Sequence, residues 1–383
     1  MTKEKRVLHL MKDEKFLDYF IEQSETVAPE ISEYWILSDD MKDSLKFVKS
    51  SLPKPVEWTR NTIKEHVQKA NCFDKIILHS FFFLDLDLFL KRLRKNIEVV
   101  WIFWGGDGYS FASNERQWYL PLTWAHKRNI FREDVPLLRG TIRIINMSCL
   151  RMVKSRLTRR LIKRVNTRAT WIKYDYEMIR HINPKMEWSY YSYYTAEQLN
   201  FSNLEYQSIN INRLWLGNSA TDTNNHLDAL DYLKSIQWQG EIVVPLSYGS
   251  AEYREKIIEY GVKNFGEKFI PLVDFIPLEQ YHQLMNSCGI VWMNHIRQQA
   301  AGNILTAIYM GKVVIMNHNN NLYKTLKEWG IYFESQEILT RPDAISTDSF
   351  MNNRRIIWSH LSFKKSLGDV KRIYNLNTGA NQI

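Results

Sequence analysis

The sequence predicts an α/β protein built as two successive parallel-sheet halves, and three observations predict it. Short apolar runs alternate with helical stretches over residues 7–104 and again over 214–317, which is the pattern of βαβ units. One run, VVWIFW (99–104), has no polar break, as a strand buried on both faces requires. At 383 residues and 45% hydrophobic content, the chain exceeds the usual size of one domain and can fill two cores.

Taken in order, VLHLM (7–11) is a strand and a helix follows from about Glu14. YWILS (34–38) is the next strand, 62–70 a helix, and DKIILHS (74–80) a third strand leading to an amphipathic helix that ends near Lys95. VVWIFW then stops in GGDGY, a turn cluster. Residues 111–206 are less regular and basic and give no assignment, although WSYYSYYTAEQL (188–199) leads toward the link between the halves. The second alternation has strands ending at 214–216 and at EIVVPLSYG (241–249), FIPLVDFIP (269–277), GIVWMNH (289–295) and KVVIMN (312–317). Helices at 226–236, 251–260, 278–288 and 303–311 separate them. The division expected is 1–208, 209–350, and a helical tail over 351–383 that crosses back to the first domain.

Bulk properties narrow the function. Cys72, Cys149 and Cys288 are odd in number and far apart, so neither a disulfide framework nor a metal spacing is expected, and a cytoplasmic setting is. The opening MTKEKRVLHLMKDEKF has no signal-peptide apolar run, and 76–90 is too short and too broken by His79, Asp85 and Asp87 to span a bilayer. The net charge of +9 calls for an anionic partner. Residues 151–168 carry eight Arg or Lys and no acid, with Met152, Val153, Leu157, Leu161, Ile162 and Val165 at roughly helical spacing. That reads as a basic amphipathic helix, which suits an anionic membrane surface or a solvated face. The candidates for membrane or acceptor contact are Arg151, Lys154, Arg159, Arg160, Lys163 and Arg164. No zinc, helix-turn-helix or RNP-like signature accompanies the charge, so nucleic acid is not an expected partner.

Four strand ends carry the chemistry. Asp107 stands in GGDG after the apolar strand, placed either to act as a general base toward a hydroxyl or to hold its own turn. Gly217, Asn218 and Ser219 open a small-residue turn suited to phosphate or ribose, and equally to helix capping. Tyr248 ends a third strand, as a stacking platform or a rim tyrosine. Arg297, Gln298, Gln299, Gly302 and Asn303 form a donor-rich turn at a helix start, the natural cradle for a diphosphate. The loop 317–321 is rich in amides and reads as a turn. There is no strand-flanked DxD pair, HExxH or cysteine cluster, so no metal and no cofactor are expected. Asp85 and Asp87 read as charge at a helix start.

These stretches, WGGDGY (104–109), LGNSATDTNNHLDAL (216–230), IVVPLSYGSAEYREKI (242–257) and LEQYHQLMNSC through RQQAAGNILTAIYMGKVVIMN (278–317), resemble glycosyltransferase family 56. The resemblance covers about two thirds of the chain. It implies a GT-B architecture, two Rossmann-like domains facing across a cleft, with no metal requirement. It further implies Asp107 as catalytic base and Gly217, Asn218, Ser219, Tyr248, Arg297, Gln298 and Gln299 as donor-site residues. The donor implied is a TDP-sugar carrying a 4-acetamido-4,6-dideoxy-galactose-like group. The acceptor implied is an undecaprenyl-diphosphate-linked oligosaccharide at the cytoplasmic face of the bacterial inner membrane, as in common antigen, capsule or O-antigen synthesis. Two alternatives stay open: a UDP- or GDP-sugar donor, or a non-catalytic binding protein of a polysaccharide assembly complex. The sequence departs from the family pattern at the second glycine of GGDG, at the Ala-Ala of RQQAAG, and in the long basic stretch near 128–170.

Overall fold

The computed structural model describes residues 6–38, 45–81, 85–112, 114–133, 137–204, 210–341 and 347–376, the side chains of 130–148 and 347–348 excepted. The chain forms β1 (Val7–Met11), α1 (Leu17–Val27), β2 (Ser32–Ser38), β3 (Lys54–Glu57), α2 (Ile63–Ala70), β4 (Lys75–Leu78), α3 (Leu86–Arg92) and β5 (Glu98–Ile102). Next come α4 (Pro121–Glu133), α5 (Leu137–Arg164), β6 (Thr167–Ala169), α6 (Lys173–Arg180) and β7 (Glu187–Ser189). The second alternation is β8 (Arg213–Leu216), α7 (His226–Ser235), β9 (Glu241–Pro245), α8 (Ala251–Phe265), β10 (Phe269–Leu272) and α9 (Leu278–Ser287). It continues through β11 (Ile290–Met293), α10 (Ala301–Tyr309), β12 (Val313–Met316) and α11 (Asn321–Glu328), and ends in α12 (Thr347–His360) and α13 (Phe363–Tyr374).

Two compact units result. The first comprises residues 1–113, 149–198 and 361–383; the second comprises 114–148 and 199–360. The first holds a parallel sheet in the order β3-β2-β1-β4-β5-β6-β7, and the second a parallel sheet in the order β10-β9-β8-β11-β12. In each sheet the chain lays strands outward to one side and then returns to continue on the other. The reversal falls between β1 and β4 in the first sheet and between β8 and β11 in the second. Ligands of open α/β sheets bind at the strand C-termini beside that reversal. The cores follow the apolar runs: Val99, Val100 and Trp101 of β5 and Val291, Trp292 and Met293 of β11 are essentially inaccessible to solvent.

The division differs from the expected one. Residues 114–148 join the second unit because its side chains hold the start of α4. Asp228 accepts from the backbone N–H groups of Leu122 (2.8 Å) and Thr123 (2.9 Å), and Asn225 accepts from that of Leu120 (2.8 Å). These are donors that a helix start leaves unsatisfied. The expected boundary at 208 lies outside the described residues. In the expected tail, α12 groups with the second unit and α13 with the first. There Val370, Ile373 and Tyr374 share a buried cluster with Leu17, Phe20 and Ile21 of α1.

The basic helix also ends earlier than expected. α5 stops at Arg164, and Arg168 lies on β6, fully buried, with its guanidinium 3.8 Å from the Phe103 ring centroid and 4.8 Å from that of Trp101. The expected apolar stripe is split. Leu161, Ile162 and Val165 are buried, while Met152 and Val153 are exposed along with Leu150. Lys154, Arg159, Arg160 and Lys163 are exposed, and Arg151 and Arg164 are half-buried. Among the described residues, no helix is long and apolar enough to cross a membrane.

Candidate active site

In the first unit, the loop after β5 turns back on the end of the sheet. Asp107 is 3% exposed, and both its oxygens are engaged. Oδ2 accepts from Trp101 Nε1 at 2.8 Å and from the Phe81 backbone N–H at 3.3 Å, while Oδ1 accepts from the Trp104 N–H at 3.2 Å. The carboxylate therefore ties the loops after β4 and β5 together, and both roles read from the sequence, brace and base, fall on the same atoms. Burial raises its pKa to about 6, against the Trp101 hydrogen bond, the Arg168 charge and the Trp104 N–H, which lower it. A carboxylate titrating there is ionised at neutral pH and still basic enough to take a proton. The last glycine of GGDG is required by packing, since a Cβ on Gly108 would lie 2.6 Å from Phe103 and 2.8 Å from Trp101.

In the second unit, the structure brings together residues from three loops. Arg297 Nη2 donates to Thr223 Oγ1 (3.2 Å), Thr223 Oγ1 donates to Gln299 Oε1 (2.7 Å), and Gln299 Nε2 donates to Asn218 Oδ1 (3.1 Å). Asn218 Nδ2 then donates to the Tyr248 hydroxyl (2.6 Å). Each group between Arg297 and Tyr248 accepts from one neighbour and donates to the next, which polarises every bond in the same sense. It joins the turns after β8, β9 and β11 at the reversal point of the sheet, with the Tyr248 ring more than half exposed at 58%. Asn303, near the start of α10, donates to the Tyr281 hydroxyl at 2.9 Å. Gln298 is buried, and Gly302 half-buried. Ser219 faces its own loop, with its hydroxyl on Thr221 (2.9 Å) and an Asn224 amide on its oxygen (3.2 Å).

Amide clamps that the sequence did not single out hold this loop set. Asn224 Oδ1 meets His295 Nε2 (2.7 Å) and the Asn218 N–H (3.0 Å). Asn320, from the amide-rich loop read as a plain turn, donates to the carbonyls of His295 (3.0 Å) and Arg297 (2.9 Å). Asp222, Tyr119 and Lys127 add a polar cluster: Lys127 Nζ donates to the Tyr119 hydroxyl (2.7 Å), which donates to Asp222 Oδ1 (3.1 Å). A cavity of about 520 Å³ opens at the ends of β11 and β12, lined by Asn294, Asn317, His318, Tyr232, Tyr323 and Glu334 among others. That volume is in the range of small-molecule sites. Among the described residues, no three His, Cys, Asp or Glu side chains are grouped to hold a metal ion.

Gly217 is the pivot of the first of these turns. Its φ is +71°, and a Cβ there would stand 2.4 Å from His226 Nε2 and 2.8 Å from Asn224 Oδ1. Gly217→Ala is expected to cost on the order of 2 kcal/mol or more through the left-handed backbone and the forced shift of a buried ring. Denaturant unfolding measures it, and a midpoint equal to that of the unsubstituted chain would show that the loop and ring do not press together.

The comparisons with known proteins agree with this architecture. The profile of the 4-alpha-L-fucosyltransferase glycosyl transferase group 56 family matches residues 148–360. A glycosyltransferase from Rickettsia africae superposes with a TM-score of 0.62 at 11% identity, covering 97% of this chain and 98% of the other. Sucrose-phosphate synthase from Thermosynechococcus elongatus gives 0.61 at 11%, covering 97% and 98%. Anabaena HepE, in complex with UDP and glucose, gives 0.59 at 10%, covering 97% and 100%. Likeness at such low identity is likeness of fold, here the GT-B type with two Rossmann-like units.

Proposed function

The chain belongs to the glycosyl transferase group 56 family and is a glycosyltransferase; on that premise we propose that it moves an amino-deoxy sugar, 4-acetamido-4,6-dideoxy-galactose-like, from a TDP-sugar to an undecaprenyl-diphosphate-linked oligosaccharide. The observation that carries the donor half of this reading is the hydrogen-bond chain from Arg297 through Thr223, Gln299 and Asn218 to Tyr248. It presents a guanidinium, amides and hydroxyls beside the start of α10. Such a donor set neutralises a diphosphate by charge-assisted hydrogen bonds and oriented backbone N–H groups, and needs no metal to do so. In this reading the second unit holds the nucleotide. The first supplies Asp107, which takes the proton of the acceptor hydroxyl as the sugar is transferred.

A thermal-shift series with TDP, UDP and GDP tests the donor. TDP should raise the midpoint most, since at equal concentration the ligand with the lowest Kd stabilises the folded chain most, by RT ln(1 + [L]/Kd). A larger shift with UDP or GDP would replace the proposed donor by that nucleotide. Transfer to a lipid-diphosphate acceptor, followed by chromatography, tests the other half, and absence of transfer with every nucleotide sugar would leave a binding protein.

We further propose that the enzyme works at the cytoplasmic face of the inner membrane, held by the outward side of α5. Its exposed cations, Lys154, Arg159, Arg160 and Lys163, are followed toward the N-terminus by the exposed apolar Val153, Met152 and Leu150. Basic residues near an anionic surface contribute about 1 kcal/mol each. Changing the four cations to Glu should therefore abolish co-sedimentation with phosphatidylglycerol vesicles and leave nucleotide binding intact. Undiminished sedimentation would remove this helix from the membrane contact.

A further inference from the structure

The motif WGGDGY (104–109) carries a second side chain that reaches into the core of the first unit. Tyr109 is buried, and its hydroxyl donates to Asp175 Oδ1 on α6 at 2.7 Å. Asp175 is fully buried too, and its backbone carbonyl accepts from Arg168 Nη1 on β6. The Arg168 guanidinium stands 3.8 Å from the Phe103 ring centroid and 4.8 Å from that of Trp101. Trp101 in turn donates from Nε1 to Asp107 Oδ2 at 2.8 Å. The path leaves the motif at Tyr109 and returns to it at Asp107. Gly108, between the two, packs against the same two rings, Phe103 and Trp101.

Taking a guanidinium wholly out of water is costly, and an apolar side chain in its place is often no worse for stability. The position of this charge gives it another use. A cation over an indole is attracted by the ring electrons, and it draws them away from Nε1, which makes that N–H a better donor to Asp107. Hydrogen bonds and charges in a medium of low dielectric reinforce one another in this way. The ionised form of Asp107 gains twice, from the strengthened hydrogen bond and from the opposite charge behind it.

The titratable groups facing the pair are Asp175, Tyr109 and Tyr193. Burial lowers Arg168 to about 10, with Asp175, Asp107 and Tyr109 opposing, so it stays a cation wherever a carboxyl titrates. Burial raises the Tyr193 phenol, and the Asp107 charge adds to that. Burial also raises Asp107, to about 6, and the Trp101 hydrogen bond and the Arg168 charge are the two largest effects holding it from rising further. Without the cation the carboxyl would climb, and at neutral pH more of it would already hold a proton.

We propose that Arg168 is a positioning residue of the transfer reaction: its buried charge, acting across the Trp101 ring, keeps Asp107 in the proton-accepting form at neutral pH. Tyr109 and Asp175 hold the guanidinium in place. The inference rests on the reading of Asp107 as the base. It gives a role in catalysis to a side chain that touches no substrate, and it makes both ends of GGDGY part of one device.

Arg168→Met tests it by keeping a long side chain and removing the charge. Full-length enzyme is assayed between about pH 5 and pH 9 for kcat/KM toward the lipid-diphosphate acceptor, which reports the base of the free enzyme. The inflection expected at about 6 in the unsubstituted enzyme should move up by about 1–3 units, the usual effect of losing one opposite charge beside a carboxyl. Activity lost at neutral pH should return as the pH is raised. A merely structural role lowers activity at every pH alike, so an inflection that stays in its wild-type place, at whatever level of activity, overturns the inference. Should Arg168→Met fail to fold, Arg168→Gln, which keeps a donor for the Asp175 carbonyl, is judged by the same outcomes. Asp107→Asn is run beside them. If that variant is active the base reading itself falls, whereas if it is inactive and the Arg168 variant keeps the wild-type inflection, only the role of Arg168 does.

Discussion

Asp107→Asn is expected to lower kcat by about 10²–10⁴ while TDP binding stays within a few-fold of wild type. The substitution removes the proton acceptor and nearly preserves the shape. It is not free of structural cost, because both carboxylate oxygens accept from N–H groups. The new amide must turn its NH₂ toward one of those donors, and the least disruptive choice is toward the Trp104 N–H, at about 1–3 kcal/mol of stability. Stability and activity therefore both fall, and the pH profile separates them. The active form of a general base is the ionised one, and burial places this carboxyl at about 6. Activity of the unsubstituted enzyme should rise with pH through that value and level off above it. The residual activity of the Asn variant should lack that inflection. A folded Asn variant that transfers sugar near the normal rate would leave Asp107 as a brace between two loops and nothing more.

Arg297→Ala should weaken nucleoside diphosphate binding by about 2–4 kcal/mol, the usual cost of removing one partner of a desolvated charge pair, or roughly 30- to 1000-fold in Kd. Part of the loss is direct and part passes through the loop set, since Arg297 also donates to Thr223 at the head of the chain that reaches Tyr248. Arg297→Lys keeps the charge but not the planar fork, and should recover only part of the affinity. Calorimetry with TDP and with thymidine monophosphate makes the test specific: the deficit should be larger for the diphosphate. Equal affinities for all three proteins would remove Arg297 from the donor site.

Much of this architecture was legible in the residues, and the exceptions share a cause. Apolar runs such as those ending β5 and forming β11 and β12 announced themselves because a strand covered on both faces is almost wholly apolar. β3 did not, since Lys54-Pro55-Val56-Glu57 is a sheet-edge strand that needs no apolar pattern and accepts a proline. β6 and β7 are three residues each, too short for a period to show. Arg168 looked like one more cation of a surface helix, yet it sits on the faces of Phe103 and Trp101. Nothing local distinguishes a guanidinium bound for an aromatic cleft from one bound for water. The strand-end turns were legible as turns with donor chemistry. The clamps that hold them were not, since Asn224 finds His295 and Asn320 finds the same loop only after folding.

The first unit is assembled from three stretches of chain, the last of them 361–383, and that fixes a timetable. A ribosome making this protein has finished the whole of the second unit before it supplies α13, whose Val370, Ile373 and Tyr374 complete the cluster around α1. Burying such side chains contributes about 1.5–3 kcal/mol apiece, so the earliest residues to emerge cannot settle until the latest arrive. At about 5–20 residues per second the nascent amino-terminal half waits many seconds in an incomplete state. A stop codon between α12 and α13 would leave that wait without an end.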